Sequence, residues 1–111
     1  MSLMTEKNVK ALSNNELLES VEKLVRHERQ VVECLIWHLQ EMQDRKLYLQ
    51  LNYTSLFECL VKHFKYSESV AHQRTSVLRI MADVPEAAKA LKEGEVSITT
   101  LSLAQSFIRK Q

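Results

Sequence analysis

From Ser13 to Arg45 the chain runs for 33 residues without a glycine or a proline, and eleven apolar residues recur along it at helical spacing. They are Leu17, Leu18, Val21, Leu24, Val25, Val31, Val32, Leu35, Ile36, Leu39 and Met42. At 100° per residue they fill a stripe roughly 140° wide, on a helix about 45 Å long. Its start is marked by SNNE: Ser13 can accept from the free amides while Glu16 reaches back, as in a capping box. The stretch 13–46 is therefore expected to be one long amphipathic helix. Residues 1–12 are expected to be a disordered or tag-derived start, with Met1-Ser2-Leu3 ahead of Met4, and 47–111 a compact bundle, all within one domain.

A helix of that length exceeds what a few short helices can cover. Part of its stripe is expected to meet a second copy, with Leu18, Val25, Val32 and Leu39 as the seam and Trp37 as a contact on the opposite, polar face. The competing reading is a long helix wrapped by its own domain. Glu28 falls in the middle of the stripe, where a desolvated carboxylate needs a partner.

The whole chain of 111 residues holds one Gly and one Pro, is 45% hydrophobic and 26% charged, and so reads as all-helical and globular. No apolar run reaches the ~18 residues of a membrane span, and the polar start carries no signal peptide, which points to a cytoplasmic protein. The net charge of +1 gives no global steering field, but it is unevenly spread. Residues 1–45 hold 6 Lys/Arg against 8 Asp/Glu, 46–82 hold 5 against 2, and 83–111 hold 4 against 4. A polyanion would be met in the middle, which also contains His63 and His72.

The middle reads as short helices with local stop and start signals. KLYLQL is a brief helical or extended piece closed by Asn52, which tolerates the left-handed conformation. TSLFECLVKHF is a helix capped at Thr54 or Ser55, with Leu56, Phe57, Leu60, Val61 and Phe64 inward and Glu58, Cys59, Lys62 and His63 outward. Ser67 caps a helix to about Asp83, Pro85 opens another that Gly94 stops, and Ser97 caps the last. Two helices joined by a tight turn, the second longer and basic, have the layout of a helix-turn-helix. On that second helix Val70, Ala71, Val77, Leu78 and Met81 form the apolar stripe and Arg74 lies among them. Ser69, His72, Gln73, Ser76 and Arg79 lie on the other side, placed to meet a groove while Lys62 and Lys65 hold phosphates. Packing the two stripes together would bring Glu28 and Arg74 into one dry interface as a structural pair.

The segment LNYTSLFECLVKHFKYSESVAHQRTSVLRIMADVPEAAKALKEGEVSITTLSLAQ, about half of the chain, resembles the helical region ahead of the nuclease module in bacterial HNH endonuclease-like proteins. From Tyr66 onward it is also similar to the helix-turn-helix of ParB-type partition proteins. Both resemblances imply DNA binding. Where the first family has Gly at two turns this chain has Asn52 and Lys65, and where that family has Tyr-Arg-Arg it has His72-Gln73-Arg74. The HNH motif itself, with its metal-binding His and Asn and its general-base His, does not occur.

No other chemistry stands out. Cys34 with His38, and Cys59 with His63, each pair a thiol and an imidazole four residues apart, which is zinc-compatible spacing but common by chance; free thiols and surface imidazoles are expected, with no metal and no cofactor. A chain with one Gly has neither a nucleophile elbow nor a phosphate loop. The sequence thus predicts an all-α protein, a long N-terminal helix followed by a compact bundle of short helices that contains a helix-turn-helix. It would bind double-stranded DNA, with no enzyme activity of its own and no small-molecule substrate, as the targeting region of a nuclease or as a free-standing regulator. The alternative is a protein-interaction or dimerisation module that binds no nucleic acid.

Overall fold

The computed structural model describes residues 5–110. Among them every regular element is helical and no strand occurs, so the protein is all-α. In chain order the elements are α1 (Glu6–Lys10), α2 (Asn14–Asp44), a short 3-10 turn (Leu47–Leu49), α3 (Leu56–Lys62), α4 (Glu68–Asp83), α5 (Pro85–Lys92) and α6 (Ile98–Lys110). None of the described helices is long and apolar enough to cross a membrane. The chain divides into two compact units, Met1–Val32 and Glu33–Gln111, with the boundary inside α2.

Of the expected disordered or tag-derived start, residues 1–4 lie outside the described residues, and Glu6–Lys10 form α1. Thr5 precedes it in extended conformation, and its N–H and hydroxyl both donate to Asn8 Oδ1, at 3.3 and 2.6 Å. The capping box of α2 forms as its sequence signals: Ser13 N–H donates to Glu16 Oε1 at 2.9 Å and Glu16 N–H to Ser13 Oγ at 3.2 Å. The Ser13 backbone N–H, and after it the Ser13 hydroxyl, donating to the Glu16 carboxylate hold its pKa below the usual value. From there to Val31 the apolar stripe is uncovered. Leu17, Leu18, Val21, Leu24, Val25 and Val31 are between 39% and 63% exposed.

The second unit contains the buried core. Ile36 and Leu39 of α2 enter it, as do Leu56, Cys59 and Leu60 of α3, Ala71, Val77, Leu78, Ile80 and Met81 of α4, Leu91 of α5, and Ile98 and Leu101 of α6. Helix α4 is the hub, packed against α3, α5 and α6. Its buried residues sweep an arc of roughly 220° on a helical wheel, and Glu68, Ser69, His72, Arg79, Ala82 and Asp83 are left exposed. The seam expected along α2 changes character here: Leu39 is inside this unit's own core and so is withdrawn from the expected contact with a second copy. Trp37 and Val32 are half-buried, whereas Leu18 and Val25 of the first unit are exposed.

Turn chemistry fixes the links. Asn52 adopts φ 67°, with Asn52 N–H donating to Leu49 O and Tyr53 N–H to Tyr48 O, both at 3.0 Å, closing the preceding turn as expected. Gly94 does the same for α5 at φ 77°, through Gly94 N–H to Leu91 O and Glu95 N–H to Ala90 O. Lys65 bends left-handed at φ 64°, and so does Lys46 at φ 54°, which no sequence signal marked. Ser55, Ser67 and Ser97 accept from Glu58, Val70 and Thr100 N–H, each at 3.1 Å.

Candidate nucleic-acid interface

The α3–turn–α4 pair stands within the second unit, with residues 63–67 as its link. Helix α3 shows Leu56, Cys59 and Leu60 to the core, the i, i+3, i+4 set of a helix that starts at Leu56. The expected facing was therefore off by part of a turn: Cys59 is fully buried, while Phe57 and Phe64 are 37% and 47% exposed. Past α3 the chain opens and turns, with Phe64 N–H donating to Cys59 O at 3.2 Å and Tyr66 N–H to Leu60 O at 3.0 Å around the left-handed Lys65. The turn brings to the surface, in order, Lys62, His63, Phe64 and Lys65, all exposed.

The charge at Lys62 is partly opposed. Its Nζ is 3.9 Å from Glu58 Oε1, and Thr54 Oγ1 donates to the other carboxylate oxygen at 2.9 Å. Among the described residues no carboxylate pairs with Lys65, the cation at the head of α4. Beside it His63 meets Tyr53 edge-on, ring centroids 5.9 Å apart, and Phe64 at 4.8 Å with an interplanar angle of 82°.

Along α4 the expected reading face is divided. Ser69 and His72 are exposed in its first turns, and Gln73 is half-buried. Ser76 is only 1% exposed and is withdrawn from the groove-facing set, because α4 is covered on more than half its circumference. Its hydroxyl lies 3.4 Å from His72 Nε2. Arg79 is exposed but lies two turns beyond His72, on a cleft of about 250 Å³ that it shares with Gln40, Gln43, Asp44 and Thr75. Asp44 lines the same cleft as Arg79, and its charge opposes a phosphate there.

Arg74 is half-buried, as its place in the stripe implied, but it does not meet an acid. Its Nη1 donates to Gln73 Oε1 at 2.8 Å, and its Nε is buried without an acceptor. Glu28, the expected partner, is exposed on the first unit, so its carboxylate is solvated and needs no buried cation. The proposed Glu28 and Arg74 pair is thereby corrected.

The thiols are dissimilar. Cys34 is exposed, 3.7 Å from His38 Nδ1, and that nitrogen sits 2.7 Å from Cys34 O. Cys59 is enclosed, and burial pushes its thiol pKa up. Among the described residues no three or more His, Cys, Asp or Glu side chains are grouped to hold a metal ion. Comparison with known proteins gives no matching family model, no matching curated protein and no matching solved structure.

Proposed function

We propose that the chain is a DNA-binding helical domain in which the α3–turn–α4 pair meets double-stranded DNA. The observation that carries this reading is the exposed run Lys62, Lys65, Ser69 and His72, which follows the turn into the N-terminal end of α4. Cations there suit phosphates, and short polar side chains on the first turns of a helix suit base edges. The likeness of residues 47–106 to the helical region of HNH endonuclease-like proteins supports it and suggests targeting rather than cleavage. Electrophoretic titration with mixed duplexes at two salt concentrations tests it. Lys65→Ala should weaken binding across all sequences and flatten the salt slope by about one charge. Equal affinities and slopes for variant and parent would remove Lys65 from the interface, and absence of any salt-dependent shift would remove the DNA reading.

A second reading, self-association through α2, is favoured by one observation: six exposed apolar side chains on one stripe between Leu17 and Val31. Sedimentation should then show a dimer at high micromolar concentration that Leu18→Glu or Val25→Glu returns to monomer. A monomer throughout would end this reading and leave the first untouched.

A further inference from the structure

We infer that the surface formed by Tyr53, His63 and Phe64, bracketed by Lys62 and Lys65, is a stacking site for unpaired nucleic-acid bases. The inference goes beyond the duplex reading above: it shares Lys62 and Lys65 with that reading but stands or falls on single-strand binding. A duplex offers phosphates and groove edges to a helix-turn-helix but keeps its base faces stacked inside. A single strand offers both its phosphates and its faces. The sequence Lys62-His63-Phe64-Lys65 presents the matching chemistry in four consecutive residues: two aromatic rings between two cations, all four exposed.

Geometry brings those rings together. The His63 ring meets Tyr53 edge-on at 5.9 Å and Phe64 at 4.8 Å, so the three rings form one contiguous cluster. Tyr53 itself is anchored by its N–H to Tyr48 O at 3.0 Å, and the turn after Phe64 by Tyr66 N–H to Leu60 O at the same distance. Phe64 nonetheless leaves 47% of its surface in water. Such exposure of a held aromatic ring is what a stacking platform needs, because little conformational freedom is lost when a base covers it. The flanking charge chooses the occupant. Among the described residues no carboxylate pairs with Lys65, and Lys62 has a loose partner at 3.9 Å, so a polyanion gains from both cations where a neutral or basic surface does not.

The test uses the full chain and two labelled probes, a thymidylate oligonucleotide of about 15–20 residues and a mixed-sequence duplex of the same length. Stacking of one base changes affinity by about fivefold or more. Phe64→Ala should therefore weaken the single strand at least fivefold, Phe64→Tyr should retain it, and the duplex should change less than twofold in both. Circular dichroism melts of all three proteins confirm that each is folded. Single-strand affinity equal in parent and Phe64→Ala, or no binding of the oligonucleotide by the parent, overturns the inference. A parent that binds the duplex but not the oligonucleotide defeats only this inference. One that binds the oligonucleotide but not the duplex, with the Phe64→Ala loss, defeats only the duplex reading.

Discussion

Replacing Ile36 by Ala is expected to cost the second unit about 2–5 kcal/mol, while the same truncation at Val25, on the same helix stripe, is expected to cost less than about 0.5 kcal/mol in the dilute protein. Both residues are apolar and belong to the periodic set read from the sequence. Ile36 is 0% exposed and Val25 40% exposed. Truncating the first leaves a cavity lined by neighbours that relax only in part, whereas the second already faces water. With total stabilities of about 5–15 kcal/mol for such domains, the Ile36→Ala loss removes a large share. Urea unfolding at low micromolar concentration measures both. Similar small losses at the two positions would mean that α2 does not enter the core at Ile36.

Arg74 gives the second large effect, and its sign depends on the replacement. The buried Nε lacks an acceptor, a desolvation cost of about 1–3 kcal/mol, while the half-buried side chain shares a face of α4 with Val77, Leu78 and Met81. Arg74→Met keeps the stem and removes the stranded donor. It should stabilise the protein by about 1–2 kcal/mol, whereas Arg74→Ala, which removes stem and donor together, should destabilise it. The measurement is urea unfolding of both variants beside the duplex titration. A Met variant less stable than the parent would show that the guanidinium is satisfied, and a folded Met variant that has lost the duplex would place Arg74 on the nucleic acid.

What the sequence made legible was local. Ser13, Ser55, Ser67 and Ser97 cap helices because each needs only its own hydroxyl and an amide three residues on. Pro85 and Asn52 act through their own backbone restrictions, so the segmentation into helices followed from single residues. Facing was less legible. Cys59 and Ser76 are small enough to be buried on either reading, and what buries Ser76 is the wide covering of α4 by its neighbours, which no one-faced helical pattern encodes. Glu28 was rightly seen to interrupt an apolar stripe. The further step, that the stripe was dry, failed because periodicity shows which residues share a face and not whether anything covers it. The aromatic cluster of Tyr53, His63 and Phe64 was missed for a related reason. Its members come from two segments, and Phe64 was read as core, His63 as an outward imidazole and the two lysines as phosphate contacts, each apart from the others.

Three of the chain's bends, at Lys46, Asn52 and Lys65, are made left-handed without glycine. A side chain in that conformation raises the folded state by about 1–2 kcal/mol, less for Asn. Glycine would relieve it, but would also widen the range of conformations open to the unfolded chain and so take back about 0.5–1 kcal/mol. The two changes oppose each other at similar size. A chain with a single Gly thus begins folding from a narrower unfolded ensemble, and that offsets about half of the strain at each lysine bend.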